Sequence, residues 1–279
     1  MIKKLQITIL AENTVRRPGL LSEHGWSVWI EADERRILFD TGQGLVLRHN
    51  VDKLDIPLET AHLVALSHGH FDHTGGLSTV FGFTQSIDLY LHPAALEEKY
   101  RREKTPPHRA IGIPKYDEPS LREQTNQLIW TSKPTKLAED IFLTGEIPRR
   151  NDFEDTGGAF YLDADCTKPD PLLDDQALWI ETSGGIVVIL GCAHSGVVNT
   201  LDYIAELTGN KQIRAVLGGM HLIKSGSRRI DATIDALKQY QINKIGASHC
   251  TGMRATTRLW SEFPESCVEC SVGTTLCFN

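Results

Sequence analysis

The chain has no apolar run of about 18 residues, the length that a membrane-crossing helix needs, so no transmembrane segment is expected in its 279 residues. The opening MIKKLQITILAEN contains a short apolar run, but Glu12 and Asn13 end it too early for the apolar core of a secretion signal. Basic charge is also scarce. Against 36 Asp and Glu stand 29 Lys and Arg, giving a net charge of -7 and a pI near 5.9. That balance gives no electrostatic basis for binding duplex nucleic acid or a membrane surface. Small or anionic substrates stay open through local patches. The six cysteines are irregularly spaced and form no disulfide framework, so they read as reduced thiols. CVEC at 267–270, taken with Cys250 and Cys277, lacks a second C-x-x-C to complete a zinc site and reads as packing thiols. There is no P-loop, no dinucleotide fingerprint and no G-x-S-x-G elbow, which removes the main rival catalytic classes. Neither a short-period repeat nor a low-complexity segment occurs. What is left is a soluble cytoplasmic protein, one elaborated α/β domain over residues 1–279, large enough to bury a sizeable core.

What is present begins with β-rich text. LQITIL (5–10), WSVWIEA (26–32) and RRILFDTG (35–42) read as antiparallel strands in a meander that ends in a turn at Gly42. HLVALSH (62–68) is nearly all apolar and reads as a strand buried on both faces; a helix starts in TGGLSTVFGF. From Glu97 to about residue 120 the text turns basic and proline-broken, a pattern that neither a strand nor a long helix tolerates, and it reads as an inserted loop or lid. A second series follows. ALWIET and GIVVILGCAH precede the helix VVNTLDYIAELTG, then come strand IRAVLGGMHL, helix RIDATIDALKQYQ and strand KIGASHCTG. Polar clusters sit where these strands end, the place where open α/β sheets hold ligands.

The densest cluster is LSHGHFDHTGGL, Leu66 to Leu77. Imidazole is costly to bury without partners, and three of them beside a carboxylate form a ligand set for a divalent metal. Continuing the strand alternation, His68 and His70 face one point, while Asp72 and His73 fall in the following turn and reach a neighbouring one. Two adjacent metal positions follow.

HGHFDH, with Gly75 and Gly76 behind it and FDTG at 39–42 before it, resembles the metallo-β-lactamase superfamily. The resemblance implies a four-layered αβ/βα sandwich with a binuclear site between two sheets. It assigns His68 and His70 to one metal and Asp72 and His73 to the other, and it makes Asp40 a brace behind the metal-binding loop. GCAHSG, GGMHL and SHCTG, with HGWSVWIE and FDTGQG earlier, narrow the resemblance to the 7,8-dihydropterin-6-methyl-4-(β-D-ribofuranosyl)aminobenzene 5'-phosphate synthase subgroup. That implies a pterin diphosphate and a phosphorylated amine as substrates.

The later ligands are less direct. The superfamily pattern places a further histidine before GIVVILG, and TGEIPRR stands there with only Glu146 to offer. Cys192 and His194 compete for the ligand role in GCAHSG; the reading favours His194 and puts Cys192 behind it. His249 matches the last histidine of the pattern. His221, after Gly218 and Gly219, reads as facing the substrate in the room those glycines leave, and with Asp72 it is the candidate for proton transfer. In the basic insert Arg101, Arg102 and Arg109 are the candidate phosphate clamp, alongside Lys99, Lys104, His108 and Lys115, with Tyr100 and Tyr116 available to stack on a ring. The expected cofactor is a pair of divalent cations, zinc by default, with iron or manganese also suited to imidazole and carboxylate. The chemistry is then transfer to or hydrolysis of a small anionic substrate, against a non-catalytic metal sensor as the remaining alternative. The oligomeric state stays open.

Overall fold

A computed structural model describes residues 1–84 and 86–279. Its first half contains β1 (Leu5–Ala11), β2 (Ser27–Ala32), β3 (Arg35–Phe39), α1 (Leu47–Lys53), β4 (Leu63–Ala65), α2 (Phe71–Thr74), α3 (Leu77–Phe83) and β5 (Asp88–Leu91). There follow β6 (Tyr100–Arg101), β7 (Arg109–Ala110), α4 (Glu118–Gln124), β8 (Gln127–Trp130), β9 (Thr135–Ala138), β10 (Ile141–Leu143) and β11 (Phe160–Tyr161). The last part holds β12 (Leu178–Thr182), β13 (Gly185–Leu190), α5 (Val197–Leu207), β14 (Ile213–Gly219), α6 (Ser227–Gln239), β15 (Lys244–Ser248), α7 (Met253–Glu262) and β16 (Thr275–Phe278).

Two large sheets result, in the orders β16-β1-β2-β3-β4-β5-β8 and β15-β14-β13-β12-β10-β9. Strand alternation explains why they stack. Val28, Ile30, Ile37 and Phe39 of one sheet meet Ile180, Val187, Ile189 and Leu217 of the other in a shared core, while the residues between them face outward. Outward-facing Trp29, Leu38 and Val64 pack on Leu47, Val51 and Val80 of the helices on that side. Val188, Val216 and Ile245 do the same against Leu201, Ile234 and Leu259 on the other. Helix, sheet, sheet and helix give the four-layered sandwich that the resemblance implied. Among the described residues no helix is long and apolar enough to cross a membrane.

The opening meander is antiparallel, as its alternation indicates, and β3, β4 and β5 then run parallel. Beyond the central hairpin of β12 and β13, strands β13, β14 and β15 are parallel too. The loops after β3, β4, β13, β14 and β15 carry Asp40, His68, Cys192, His221 and His249 respectively, so the strand ends that hold ligands in α/β sheets hold the polar clusters here.

One expectation is corrected by the basic insert. Despite its prolines it forms short strands: β6 and β7 pair antiparallel, and β11 adds to the edge of β6 as a third strand. Pro106 and Pro107 fall in the connection between β6 and β7, Pro114 follows β7 and Pro119 opens the first turn of α4, so none sits where a ladder or helix hydrogen bond is needed. Lys99, at the base of this hairpin, is not free to meet an anion. Its Nζ is buried between Asp170 Oδ2 and Asp174 Oδ1, each at 2.9 Å. Burial opposes the charge on Lys99, but the two carboxylates outweigh it and raise its pKa.

Ile189 lies fully buried between the two sheets. Ile189→Ala should therefore lower unfolding stability by about 2–5 kcal/mol, read from urea denaturation. A loss below about 1 kcal/mol would mean that this position collapses around the missing atoms far better than a close-packed interior does.

Candidate active site

The strand that delivers the first histidines is shorter than alternation suggested. β4 stops at Ala65, His68 and His70 stand in the connecting loop, and Asp72 and His73 share the single helical turn of α2. The side chains converge nonetheless. Gly69 permits this, because a Cβ there would collide with the carbonyl of Ala95. His68 Nε2 and His70 Nδ1 lie 2.9 Å apart, and His73 Nε2 lies 3.2 Å from His249 Nε2. All these residues are buried.

Each inward nitrogen is set by what holds the other one. Asp40 Oδ2 accepts from His73 Nδ1 at 2.7 Å and from Ser67 Oγ at 2.7 Å, while Asp40 Oδ1 accepts the Ser67 amide at 2.7 Å. Because Ser67 Oγ gives its proton to Asp40, it accepts from His68 Nδ1 at 2.9 Å. His194 Nδ1 donates to the carbonyl of Thr156 at 2.8 Å, and His249 Nδ1 to Asn13 Oδ1 at 2.9 Å. In four rings, then, Nδ1 is anchored and Nε2 is turned inward. The same arrangement fixes tautomer and orientation in imidazole metal ligands.

The electrostatics agree with the contacts. Burial, reinforced by the other imidazoles, pushes His68 and His194 well below the ordinary histidine range. Burial likewise lowers His70 to about 3 and His249 to about 4. His73 is the exception: burial opposes its charge, but the Asp40 carboxylate, through its field and its hydrogen bond, raises it to about 9. Asp72 is also buried, yet a hydrogen bond from His24 and the field of His73 hold it below the usual carboxylate range. His24 Nε2 lies 3.1 Å from Asp72 Oδ2, and that bond raises His24.

These residues suit a cation. His70 Nε2, His194 Nε2 and His221 Nδ1 are buried and, among the described residues, have no hydrogen-bond partner, a state that costs free energy unless something else satisfies them. Donor atoms within 4.8 Å of one another group as His68, Cys192 and His194; as His73, Cys192 and His249; as Cys192, His221 and Cys250; and as His24, Asp72 and His249. Nitrogen, sulfur and one carboxylate suit zinc or a comparable transition metal.

Several expectations change. Cys192 does not stand behind His194: its sulfur lies 3.1 Å from His73 Nε2 and belongs to three of the four donor groups. Burial pushes its thiol up. Glu146 is exposed and outside the cavity wall, so it offers no ligand here. Gly218 and Gly219 leave no room for a molecule, since a Cβ on Gly218 would strike the Leu190 backbone at the end of β13 and one on Gly219 the carbonyl of Gly191 just after it. His221 nevertheless lines the cavity, with its ring centroid 4.3 Å from that of His194 and Nε2 at 3.2 Å from the carbonyl of Gly157. Of the proposed clamp, Arg101 and Arg109 reach the cavity and Arg102 does not. Arg102 lies over the Tyr161 ring and donates to the carbonyl of Cys166. Tyr116 packs edge-on against Phe81 rather than beside the site.

Other participants escaped sequence reasoning. Glu12 Oε1 accepts the His249 amide at 2.7 Å and Asn13 the His249 ring, although both had been read only as the end of an apolar run. Cys250 faces the cavity instead of packing. Phe160, on β11, sits 5.0 Å from the His70 ring and 5.2 Å from the His194 ring. His24 is legible only in hindsight, in the HGW text before β2. The cavity that these groups enclose measures about 240 Å³, with Arg101, Arg109 and Lys224 as its cationic lining.

A profile of the family described as Metallo-beta-lactamase superfamily matches residues 23–202. A curated relative from Methanocaldococcus jannaschii, the 7,8-dihydropterin-6-methyl-4-(beta-D-ribofuranosyl)-aminobenzene-5'-phosphate synthase, is 32% identical over 88% of this chain and 86% of its own. An uncharacterised protein of the same organism is 32% identical over 91% of this chain and 93% of its own. Among solved structures, Tm1679, described as a metal-dependent hydrolase of the beta-lactamase superfamily, superposes with a TM-score of 0.83 at 31% identity, covering 98% of both chains.

Replacing the brace tests the geometry. Asp40→Asn would set an amide N–H against either His73 Nδ1 or the Ser67 donors. The affinity for zinc should fall by roughly 10- to 100-fold, measured by competition with a chromogenic chelator. Undiminished affinity would show that the Asp40 contacts do not orient a ligand.

Proposed function

Because this chain belongs to the metallo-beta-lactamase superfamily, we propose that it is a metal-dependent enzyme acting on a small anionic substrate, phosphorylated or pterin-like. The observation that carries this reading is the set of four imidazoles with Nδ1 anchored and Nε2 turned inward: those of His194 and His249 line a cavity with a cationic wall, and those of His68 and His73 meet His70 and Cys192 of its lining. His68 and His194 group with Cys192, and His73 and His249 group with the same sulfur. With His70, whose Nε2 has no other partner among the described residues, on the first side and Asp72 on the second, these residues would hold two divalent cations. Zinc is the first choice; iron and manganese are the alternatives. When bound, such ions supply Lewis acidity toward a phosphoryl or carbonyl oxygen and make water reactive near neutral pH.

The chain's own groups do the rest. Arg101 and Arg109 meet the anion from the rim hairpin, and Lys224 meets it from another part of the wall. The Arg109 guanidinium is steadied 4.7 Å from the Phe71 ring centroid. With its Nε2 proton given to the Gly157 carbonyl, His221 is left with Nδ1 as a buried proton acceptor. Asp72 stays ionised, with His24 as its partner toward solvent. Phe160 lies across the His70 and His194 rings and keeps water from that side of the cavity.

Two chemistries fit these groups. The name of the 32% identical relative supports a synthase that joins a pterin derivative to a phosphorylated amine. The description of the 31% identical structure supports hydrolysis. One experiment separates them: measure metal content, then offer the protein phosphodiesters, lactones, thioesters and pterin diphosphates, the last with and without a phosphorylated arylamine. We expect about two metal equivalents per chain and release of diphosphate only when both co-substrates are present. Turnover of a single ester would favour the hydrolase. Less than about half an equivalent of metal after reconstitution would end the binuclear reading.

Two sets of variants divide the roles. Alanine at both Arg101 and Arg109 should raise KM for a phosphorylated substrate by roughly tenfold or more and leave metal content unchanged. His221→Ala should keep the metal and lose about a hundredfold or more in turnover. Loss of metal from that variant would instead make His221 a ligand.

A further inference from the structure

Behind the cavity runs the segment PDPLLDDQ, residues 169–176, which has no part in the chemistry proposed above. Asp170, Asp174, Asp175 and Gln176 are all buried, an expensive place for three carboxylates unless their hydrogen bonds hold something in place. Their partners are the loops that carry the histidines. Asp174 Oδ2 accepts the amide of Gly69, between His68 and His70, at 2.7 Å. Asp175 Oδ2 accepts the amide of Ser195, the residue after His194, at 2.7 Å. Gln176 donates from its own amide to the Ser67 carbonyl at 2.9 Å and from Nε2 to the Leu66 carbonyl at 2.8 Å. Three consecutive residues thus grip two loops that belong to different sheets.

We propose that Asp174, Asp175 and Gln176 form a strap of positioning residues that sets the separation of the His68–His70 loop from the His194 loop. The proposal rests on the reading that these histidines hold divalent cations. Because neighbouring residues of one short segment hold both loops, a shift of one loop relative to the other has to break a buried hydrogen bond. The strap also reaches the rim. Asp174 Oδ1 and Asp170 Oδ2 both bind Lys99 Nζ, and the Lys99 carbonyl accepts the Ile111 amide at 2.7 Å across the hairpin. Ile111 in turn accepts the amide of Phe71, beside His70, at 2.9 Å. The hairpin carrying Arg101 and Arg109 is therefore registered against the same histidine loop. The chain's own sequence gives the strap no metal-ligand pattern, and its carboxylates face backbone amides and Lys99 rather than the cavity.

The test compares Asp175→Ala, Asp175→Asn and, as a control of general destabilisation, Ile189→Ala in the full chain. Zinc affinity is measured by chelator competition and thermal unfolding beside it. We expect Asp175→Ala to bind zinc at least tenfold more weakly, Asp175→Asn to recover part of that loss through its remaining carbonyl acceptor, and Ile189→Ala to lose thermal stability with zinc affinity unchanged. Equal zinc affinity in Asp175→Ala and wild type would overturn the proposal and leave the strap a stabilising element only. Should Asp175→Ala fail to fold, Asp175→Asn decides: an affinity lowered by about threefold or more supports the strap, and wild-type affinity overturns it. Should wild-type protein take up neither zinc, iron nor manganese, the metal reading fails by itself. The strap is then judged by amide exchange at Gly69 and Ser195: in Asp175→Asn, protection lowered at both amides supports it, and protection unchanged at Gly69 overturns it.

Discussion

The buried carboxylate of Asp40 is the contact on which the site depends. A single group with no exposed surface accepts from a backbone amide, a hydroxyl and an imidazole. Through Ser67 it also decides which nitrogen of His68 faces inward. An ionised carboxylate in an apolar interior is tolerable only when such donors surround it. Here the donors are the groups that must be oriented. Asp40 itself adopts a φ of 57°, a left-handed conformation that costs a non-glycine residue about 1–3 kcal/mol. Ala193, His221 and His249 share that region. Four strained residues follow the ends of β3, β13, β14 and β15: His221 and His249 stand in the cavity wall, Asp40 holds His73 from behind, and Ala193 lies between Cys192 and His194, so the sharp turns fall where the donor side chains gather.

The two large sheets place this strain where it is useful. Their facing surfaces are held together by aliphatic side chains on alternating positions, which leaves the strand ends to diverge into polar loops. Neither sheet holds the complete set of donors. The loops after β3 and β4 supply Asp40, His68, His70, Asp72 and His73, whereas those after β13, β14 and β15 supply Cys192, His194, His221 and His249. Any group bound among them therefore bridges the two halves of the sandwich, and its binding free energy adds to the stability of their packing.

Much of the architecture was legible from local pattern. The alternation in Ser27–Ala32 and Arg35–Phe39 and the apolar run at Leu63–Ala65 announced strands because those patterns reflect which face is buried. Strand ends were read less well: β4 and β13 stop short of the histidines, since after β4 the Ser67 amide turns to the Asp40 carboxylate and after β13 Ala193 takes a left-handed conformation. The hairpin of β6 and β7 was missed because its pairing is two residues long and draws on β11, far along the chain. Charge alone misled at Lys99 and Arg102. A basic residue reads the same on a rim as in a buried ion pair or on an aromatic ring.

By itself the sequence determined that His68, His70, Asp72 and His73 would be crowded together, since six residues of chain cannot spread them apart. It also determined that polar clusters would close several strands, and so that one end of the sandwich would gather histidine, cysteine and carboxylate side chains. Only the tertiary structure decided that Cys192 and Cys250 enter the cavity, that Glu12 and Asn13 grip His249, and that a strap of Asp174, Asp175 and Gln176 lies behind both histidine loops. The physical reason is separation along the chain. His249 meets its partners across more than 230 residues, and Gly69 meets Asp174 across 105. No local propensity encodes such pairs; they arise when the two sheets stack and each buried polar group must find a partner.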